Sequence, residues 1–245
     1  MQGSFRRHRV SQVTTVLLVR HGRTSANATG VLAGWTPGVR LDERGIKQAE
    51  SLASKLADVA LTRIVTSPLE RCRETSEIIA LENAFNPLVE ADERLAECRY
   101  GDWTGKKLKK LARHPLWRTV QEAPSSVHFP GVDAESLLNV SRRANEAVRY
   151  WVSVSQPSRK NPNPVLVLVS HGDVIKAILA DALGMHLDMF QRIVVDPCSV
   201  SIVRYTEKRP FVVATNSVDV DLSFLRTAKS KSSDAQVGGG KGVKV

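Results

Sequence analysis

Residues 13–22 read VTTVLLVRHG and residues 165–172 read VLVLVSHG, and these two stretches decide the fold. Each opens with a short run of β-branched and aliphatic residues, the form of a strand buried on both faces. Each run then meets a histidine and a glycine, as Arg20-His21-Gly22 and as Ser170-His171-Gly172. In an open parallel sheet, ligands bind outside the carboxyl ends of the strands. Histidines placed just past two such strands would therefore face one crevice. A glycine after each lets the chain turn tightly and lets a ligand approach closely. Taken singly, either histidine reads as an ordinary polar loop residue. The repeated junction argues for a shared site.

Between the two stretches, helical and strand patterns alternate. Ile46, Ala49, Leu52, Ala53 and Leu56 recur at helical spacing, and Leu61–Thr66 reads as a strand. Ser67-Pro68-Leu69-Glu70 then supplies an N-cap serine, a proline at the first helical position and a glutamate able to complete a capping box. That predicts a helix to about Leu81. A short strand follows at 88–91, and prolines 115, 124 and 130 mark residues 104–130 as an irregular helical excursion. Leu137, Ala144, Val148 and Trp151 predict a long helix over 134–153, and a further helix is expected over 172–183. Residues 199–205 and 211–215 read as a closing hairpin. The expected class is α/β, a three-layer α/β/α sandwich with a mostly parallel central sheet. One domain over 13–226 is the economical division, with a basic extension at 1–12 and a disordered Gly/Lys-rich tail at 227–245.

The chain has 245 residues, 42% of them hydrophobic and 24% charged, inside the globular range. Its formal charge of +10 invites a nucleic-acid reading, so the charge must be located. Arg6, Arg7 and Arg9 give +3 within residues 1–10, and four lysines against Asp234 give +3 within 227–245. Only +4 is left for everything between, so the excess belongs to the termini and nucleic acid is not expected as a partner. No run approaches eighteen apolar residues, so a membrane span is not expected. The basic N-terminus lacks a small-residue cleavage site, which argues against a secretory signal. Cys72, Cys98 and Cys198 are odd in number and widely spaced, so neither a disulfide framework nor a cysteine zinc site is expected, and a reducing cytoplasm fits best.

Arg71 adds to the site. It lies near the positive end of the helix that follows Leu61–Thr66. Arg20, Arg71 and His171 around His21 form a set suited to a phosphoryl group. Arginine binds phosphate oxygens with a planar fork, and helix N-termini add backbone N–H donors. Standing alone, Arg71 would read as a surface ion pair with Glu74 or Glu70.

These residues resemble the histidine phosphatase superfamily, the phosphoglycerate-mutase-like fold. Leu18-Val19-Arg20-His21-Gly22-Arg23-Thr24 with Asn27 is similar to the opening motif, and Leu41, Gly45, Gln48 and Ala49 to the first helix. Ser67-Pro68-Leu69 with Arg71 and Thr75 resembles the second block. Leu95, Glu97, Tyr100, Gly101, Trp103 and Gly105 resemble the block carrying the acid, and Ser170-His171-Gly172 the last. The resemblance implies that His21 is the nucleophile and becomes a phosphohistidine. It implies that Arg20, Arg71 and His171 hold the transferring group, with Asn27, Arg23, Thr24 and Gly172 as substrate-binding neighbours. Glu97 would protonate the leaving alcohol. No metal and no cofactor is implied. In isolation Glu97 would read as a surface carboxylate paired with Arg99, but its place in Leu-x-Glu-x-x-Tyr-Gly-x-Trp sets that aside.

Residues 130–136, PGVDAES, depart from the family's Pro-Gly-Gly-Glu-Ser segment, which weakens any role for Glu135 or Ser136. Mutases of the superfamily carry a longer insertion between the acid and the second histidine. Only 73 residues separate Glu97 from His171, closer to the phosphatase branch. Residues 34–45, GWTPGVRLDERG, and the Gly-rich tail resemble an actinobacterial group labelled phosphomutase. Lys106, Lys107, Lys109, Lys110 and Arg113 are either a basic rim steering an anionic substrate or, slightly favoured, a solvated helix face over Leu108 and Leu111. The expected function is metal-independent phosphomonoester hydrolysis on a small phosphorylated metabolite. A phosphomutase is the alternative, and an inactive polyanion-binding protein is the rival of a different class. A homodimer is compatible with the sequence.

Overall fold

The computed structural model describes residues 13–218. The basic extension at 1–12 and the tail at 227–245 lie outside the described residues, as do 219–226. The elements, in chain order, are β1 (Val13–Arg20), α1 (Ser25–Thr29), α2 (Glu43–Leu56), β2 (Leu61–Thr66), α3 (Glu70–Glu82) and β3 (Val89–Ala91). There follow α4 (Leu108–Leu111), α5 (Pro115–Glu122), α6 (Leu137–Val154), β4 (Val165–Ser170), α7 (Gly172–Ala182), β5 (Val200–Thr206) and β6 (Pro210–Ser217). Short 3-10 turns lie at 93–95, 101–103, 124–126 and 187–192, and the expected irregular excursion over 104–130 holds α4, α5 and the third of them.

The six strands lie in the order β3-β2-β4-β1-β5-β6. β3, β2, β4 and β1 run parallel, and the closing hairpin adds β5 and β6 antiparallel at one edge. The alternation of side chains along β1 explains the layers. Val16 and Leu18 face one core, with α6, α7 and the aromatic side chains of Trp103, Phe129 and Trp151. Leu17 and Val19 face the other, against α2 and α3. Both faces are dry, which is why the strand runs are apolar without alternation. Truncating Leu17 or Leu18 to alanine would cost about 2–5 kcal/mol at such fully buried positions.

Four local expectations are corrected. α3 begins at Glu70 with Leu69 at its N-cap and no side-chain cap, so the Ser67/Glu70 capping box does not form. The Ser67 hydroxyl meets His171 Nε2 at 2.8 Å and accepts only a long 3.4 Å bond from Leu69 N–H, and the Glu70 carboxylate accepts from the Gly38 N–H at 2.9 Å instead. α6 starts three residues later than its pattern predicts, because Glu135 N–H donates to the Arg99 carbonyl and Ser136 caps the helix at Asn139 N–H. On α2 the buried face runs through Gly45, Ala49, Leu52, Ala53 and Leu56, leaving Ile46 40% exposed. The cause is a close approach of the backbone: a Cβ on Gly22 would stand 2.6 Å from the Gly45 carbonyl oxygen. In α4, Leu111 is buried but Leu108 is not, so the lysine-rich face covers one apolar side chain rather than two.

Candidate active site

The site follows from strand register. Arg20 of β1 pairs with Ser170 of β4, so the next residue on each strand emerges at the same level. His21 N–H donates to the Ser170 carbonyl at 3.0 Å, and the His21 and His171 rings stand 5.3 Å apart. β2, on the other side of β4, delivers Ser67 and then α3, whose second residue is Arg71. Both histidines and Arg71 are almost fully buried.

Arg71 is the hub. Its Nε donates to His21 Nε2 at 3.3 Å, and its Nη2 donates to the Gly34 carbonyl at 3.0 Å and reaches His171 Nδ1 at 3.1 Å. A guanidinium in a protein is always a donor, so both of those ring nitrogens must accept. The proton of His21 is therefore on Nδ1, which lies 2.7 Å from the Gly22 carbonyl oxygen. The proton of His171 is on Nε2, which donates to Ser67 Oγ at 2.8 Å. Each tautomer is set from both sides of its ring.

Burial pushes both histidines well below the ordinary imidazole range, and the positive charges of Arg71 and Arg20 push in the same direction. Both rings are neutral, and the Nε2 lone pair of His21, which accepts a long 3.3 Å bond from Arg71 Nε, is the ring's nucleophilic position once that donor turns to an incoming phosphoryl oxygen. Arg20 spends Nη1 on the Val195 carbonyl at 2.6 Å. Its Nε, together with Arg71 Nη1, is buried and has no hydrogen-bond partner among the described residues. Unmet buried donors on two cations are costly unless an anion comes to them.

Glu97 closes the site. Trp35 Nε1 donates to its carbonyl at 2.7 Å and Arg143 Nη2 at 3.1 Å, which pins its backbone. One carboxylate oxygen accepts from Cys98 N–H at 3.0 Å, and the other lies 3.7 Å from His171 Nδ1. Burial first, and the Asp173 carboxylate second, raise the Glu97 carboxyl to about 7 against the pull of Arg71. It is thus available as an acid and, once ionised, as a base.

The bland alternatives do not hold in the structure. Glu97 is not paired with Arg99, whose guanidinium is stacked 3.7 Å over the Trp35 ring. Arg71 pairs with neither Glu70 nor Glu74, the latter being taken by Arg40. Cys72 is buried beside His171, and burial raises its thiol to about 12, so it packs as a neutral group.

Of the remaining sequence-derived residues, Gly172 lies against the site: a Cβ there would stand 3.8 Å from the Arg20 guanidinium. Thr24 and Asn27 form a reciprocal capping box that starts α1, and Thr24 is fully buried in it. Arg23 Nε is 2.9 Å from the Asp42 carboxylate. These three shape the loop behind His21. Glu135 pairs with Arg143 and Ser136 caps α6, so both are structural.

Sequence reasoning missed Ser67 as the partner of His171, Trp35 as the anchor of Glu97, and Asp173. The position of Asp173, two residues past His171 in the first turn of α7, was the one available signal.

The sequence model of the histidine phosphatase superfamily (branch 1) matches residues 16–218. A protein of Hydrogenobacter thermophilus named phosphoserine phosphatase 1 is 32% identical over 206 residues, covering 82% of this chain and 91% of that one. One of Erwinia tasmaniensis named "Probable phosphoglycerate mutase GpmB" is 30% identical over 194 residues, covering 78% and 85%. Among solved structures, Bacillus stearothermophilus YhfR superposes with a TM-score of 0.71 at 29% identity, covering 82% of this chain and 95% of that one. With its fold, its two strand-end histidines and its sequence all in agreement over residues 16–218, the chain belongs to the histidine phosphatase superfamily, branch 1.

Proposed function

We propose that the protein is a phosphomonoester hydrolase that works through a phosphohistidine on His21. The observation that carries this reading is the pair of unpartnered buried donors, Arg20 Nε and Arg71 Nη1, beside a neutral histidine whose Nε2 holds a lone pair. Phosphoryl oxygens would accept from those donors, and positioning with charge stabilisation is most of what phosphoryl transfer needs.

In the first half-reaction His21 Nε2 forms a bond to phosphorus as the ester P–O bond breaks. The electron pair leaves on the alcohol oxygen, which takes the Glu97 proton. In the second, Glu97 as carboxylate removes a proton from water while the water oxygen bonds to phosphorus. The P–N bond breaks, its electron pair returns to Nε2, phosphate departs and Glu97 is again an acid. The Nδ1–H bond to the Gly22 carbonyl holds the ring still through both steps and supports the positive charge on the phosphorylated imidazole.

The substrate is a small phosphorylated metabolite and the setting the cytoplasm. No helix among the described residues is long and apolar enough to cross a membrane. A phosphomutase is the second reading, favoured by the relative that carries a phosphoglycerate mutase name.

The test is phosphate release from p-nitrophenyl phosphate, phosphoglycerates, sugar phosphates and nucleotides in chelator, with wild type and His21→Ala side by side. Release that disappears in the variant is the expected result. Release that survives removes His21 from its role. Isomer exchange without release would make the protein a mutase.

A further inference from the structure

Asp173 is a half-buried carboxylate that the steps above do not use. It sits in the first turn of α7, two residues after His171, and its side chain is 24% exposed. Tyr100, three residues after Glu97, donates its hydroxyl proton to Asp173 at 2.8 Å. The Tyr100 ring is itself buried and packs edge-on against Phe129. Lys176, one turn further along α7, lies 3.5 Å from the other Asp173 oxygen and donates to Gln191 at 3.0 Å. The Tyr100–Asp173 bond therefore ties the segment carrying Glu97 to the segment carrying His171. Those are the segments whose catalytic side chains approach to 3.7 Å.

The charges facing Glu97 are Arg71 from α3, Arg20 from β1, Arg143 from α6, and His171 and Asp173 from the start of α7. The histidine is neutral and the three arginines all favour the ionised carboxylate. Arg143 is already neutralised by Glu135. Burial is the larger force against the two unneutralised guanidinium groups, and Asp173 is the carboxylate placed to add to it.

We propose that Asp173 is a positioning residue for Glu97: through Tyr100 it fixes where the acid stands, and its negative charge favours the protonated form that the leaving group needs. The proposal rests on the reading of Glu97 as the proton donor. Tyr100 keeps Asp173 from swinging to solvent, and Lys176 sets how much of its charge Glu97 feels. A nearby like charge acts on a carboxyl group by about one pH unit or more.

The test reads Glu97 directly. In the full-length protein labelled with 13C at glutamate carboxyl carbons, the Glu97 signal is assigned by its loss in Glu97→Gln and followed against pH. Asp173→Asn should lower its midpoint by about one pH unit, and the alkaline fall of kcat/KM for an alkyl phosphate should move down with it. Lys176→Met removes the counter-charge and should move the midpoint the other way, which keeps the idea testable if Asp173→Asn does not fold. An unmoved midpoint in a folded Asp173→Asn or Lys176→Met variant overturns the proposal. A midpoint that moves as stated in a protein whose hydrolysis survives His21→Ala would overturn the phosphohistidine reading and leave the action of Asp173 on Glu97 standing.

Discussion

Arg71 Nη2 stands 3.1 Å from His171 Nδ1 and forces that nitrogen to be an acceptor, while Ser67 receives the proton on the other side of the ring. The site thus turns a lone pair, not an N–H, towards the place where Glu97 and Arg71 converge. A phosphoryl dianion arriving there meets two guanidinium donors and one lone pair. Its charge offsets the repulsion by Arg71 and Arg20 that helps keep His171 neutral. Binding of an anion should therefore draw a proton onto Nδ1. In 15N-histidine spectra at neutral pH, vanadate or phosphate should convert the His171 Nδ1 signal from the unprotonated to the protonated range. A signal that stays unprotonated in the saturated complex would remove His171 as a donor to the phosphoryl group.

The depth of Glu97 has a consequence for leaving groups. Glu97→Gln keeps the shape of the side chain and its contact with Cys98 N–H but has no proton to give. Turnover of alkyl phosphates should fall by about 10²–10⁴-fold, whereas p-nitrophenyl phosphate, whose leaving group needs little help, should lose far less in the first half-reaction. Burst kinetics separate the two halves. Equal losses on both substrates in that first step would take the acid role away from Glu97.

The same groups set the pH profile. Glu97 must be protonated to act, and its carboxyl is raised to about 7. The acid form is therefore present below that value and is lost as pH rises through it. His21 must be neutral to attack, and its pKa is depressed well below the usual imidazole value. The nucleophile is therefore lost only at pH values below the ordinary histidine range. For alkyl phosphates kcat/KM should be highest on the acid side of neutrality and should decline above about pH 7. The alkaline limb should vanish in Glu97→Gln. A profile still rising at pH 8 would contradict this assignment.

Gly22 makes a prediction of a different kind. Its missing Cβ would meet the Gly45 carbonyl at 2.6 Å, and both partners are backbone with nowhere to go. Gly22→Ala should therefore push the His21 loop away from α2. Overpacking of this kind costs about 1–3 kcal/mol, read as a lower thermal midpoint. Because the next residue back is His21, kcat should drop as well. A variant with unchanged melting and unchanged turnover would mean that the approach relaxes freely.

Much of this was legible in the chain. The two apolar runs each ending in His-Gly predicted buried strands whose ends face one crevice, and the structure makes β1 and β4 direct neighbours with Arg20 level with Ser170. Apolar spacing placed α2, α6 and α7 because one face of each must be buried, and burial leaves a period that can be read. Ser67 shows where such reading stops. Its local setting before Pro68 and Glu70 describes a helix cap, yet its hydroxyl serves His171, 104 residues away. The same oxygen accepts only a long 3.4 Å local bond from Leu69 N–H, whereas leaving the Nε2–H of a buried imidazole without an acceptor would cost about 1–3 kcal/mol, a need that nothing local records. Trp35 beneath Glu97 was silent because no periodicity records a contact between separate loops, and Asp173 was marked only by its place two residues past His171. The residue types, their order and the strands that carry them were determined by the sequence itself. The tautomers of both histidines, the two unmet guanidinium donors and the upward shift of the Glu97 carboxyl were decided only by the tertiary structure, because each depends on how much water is removed and which charges are left facing one another when the chain closes.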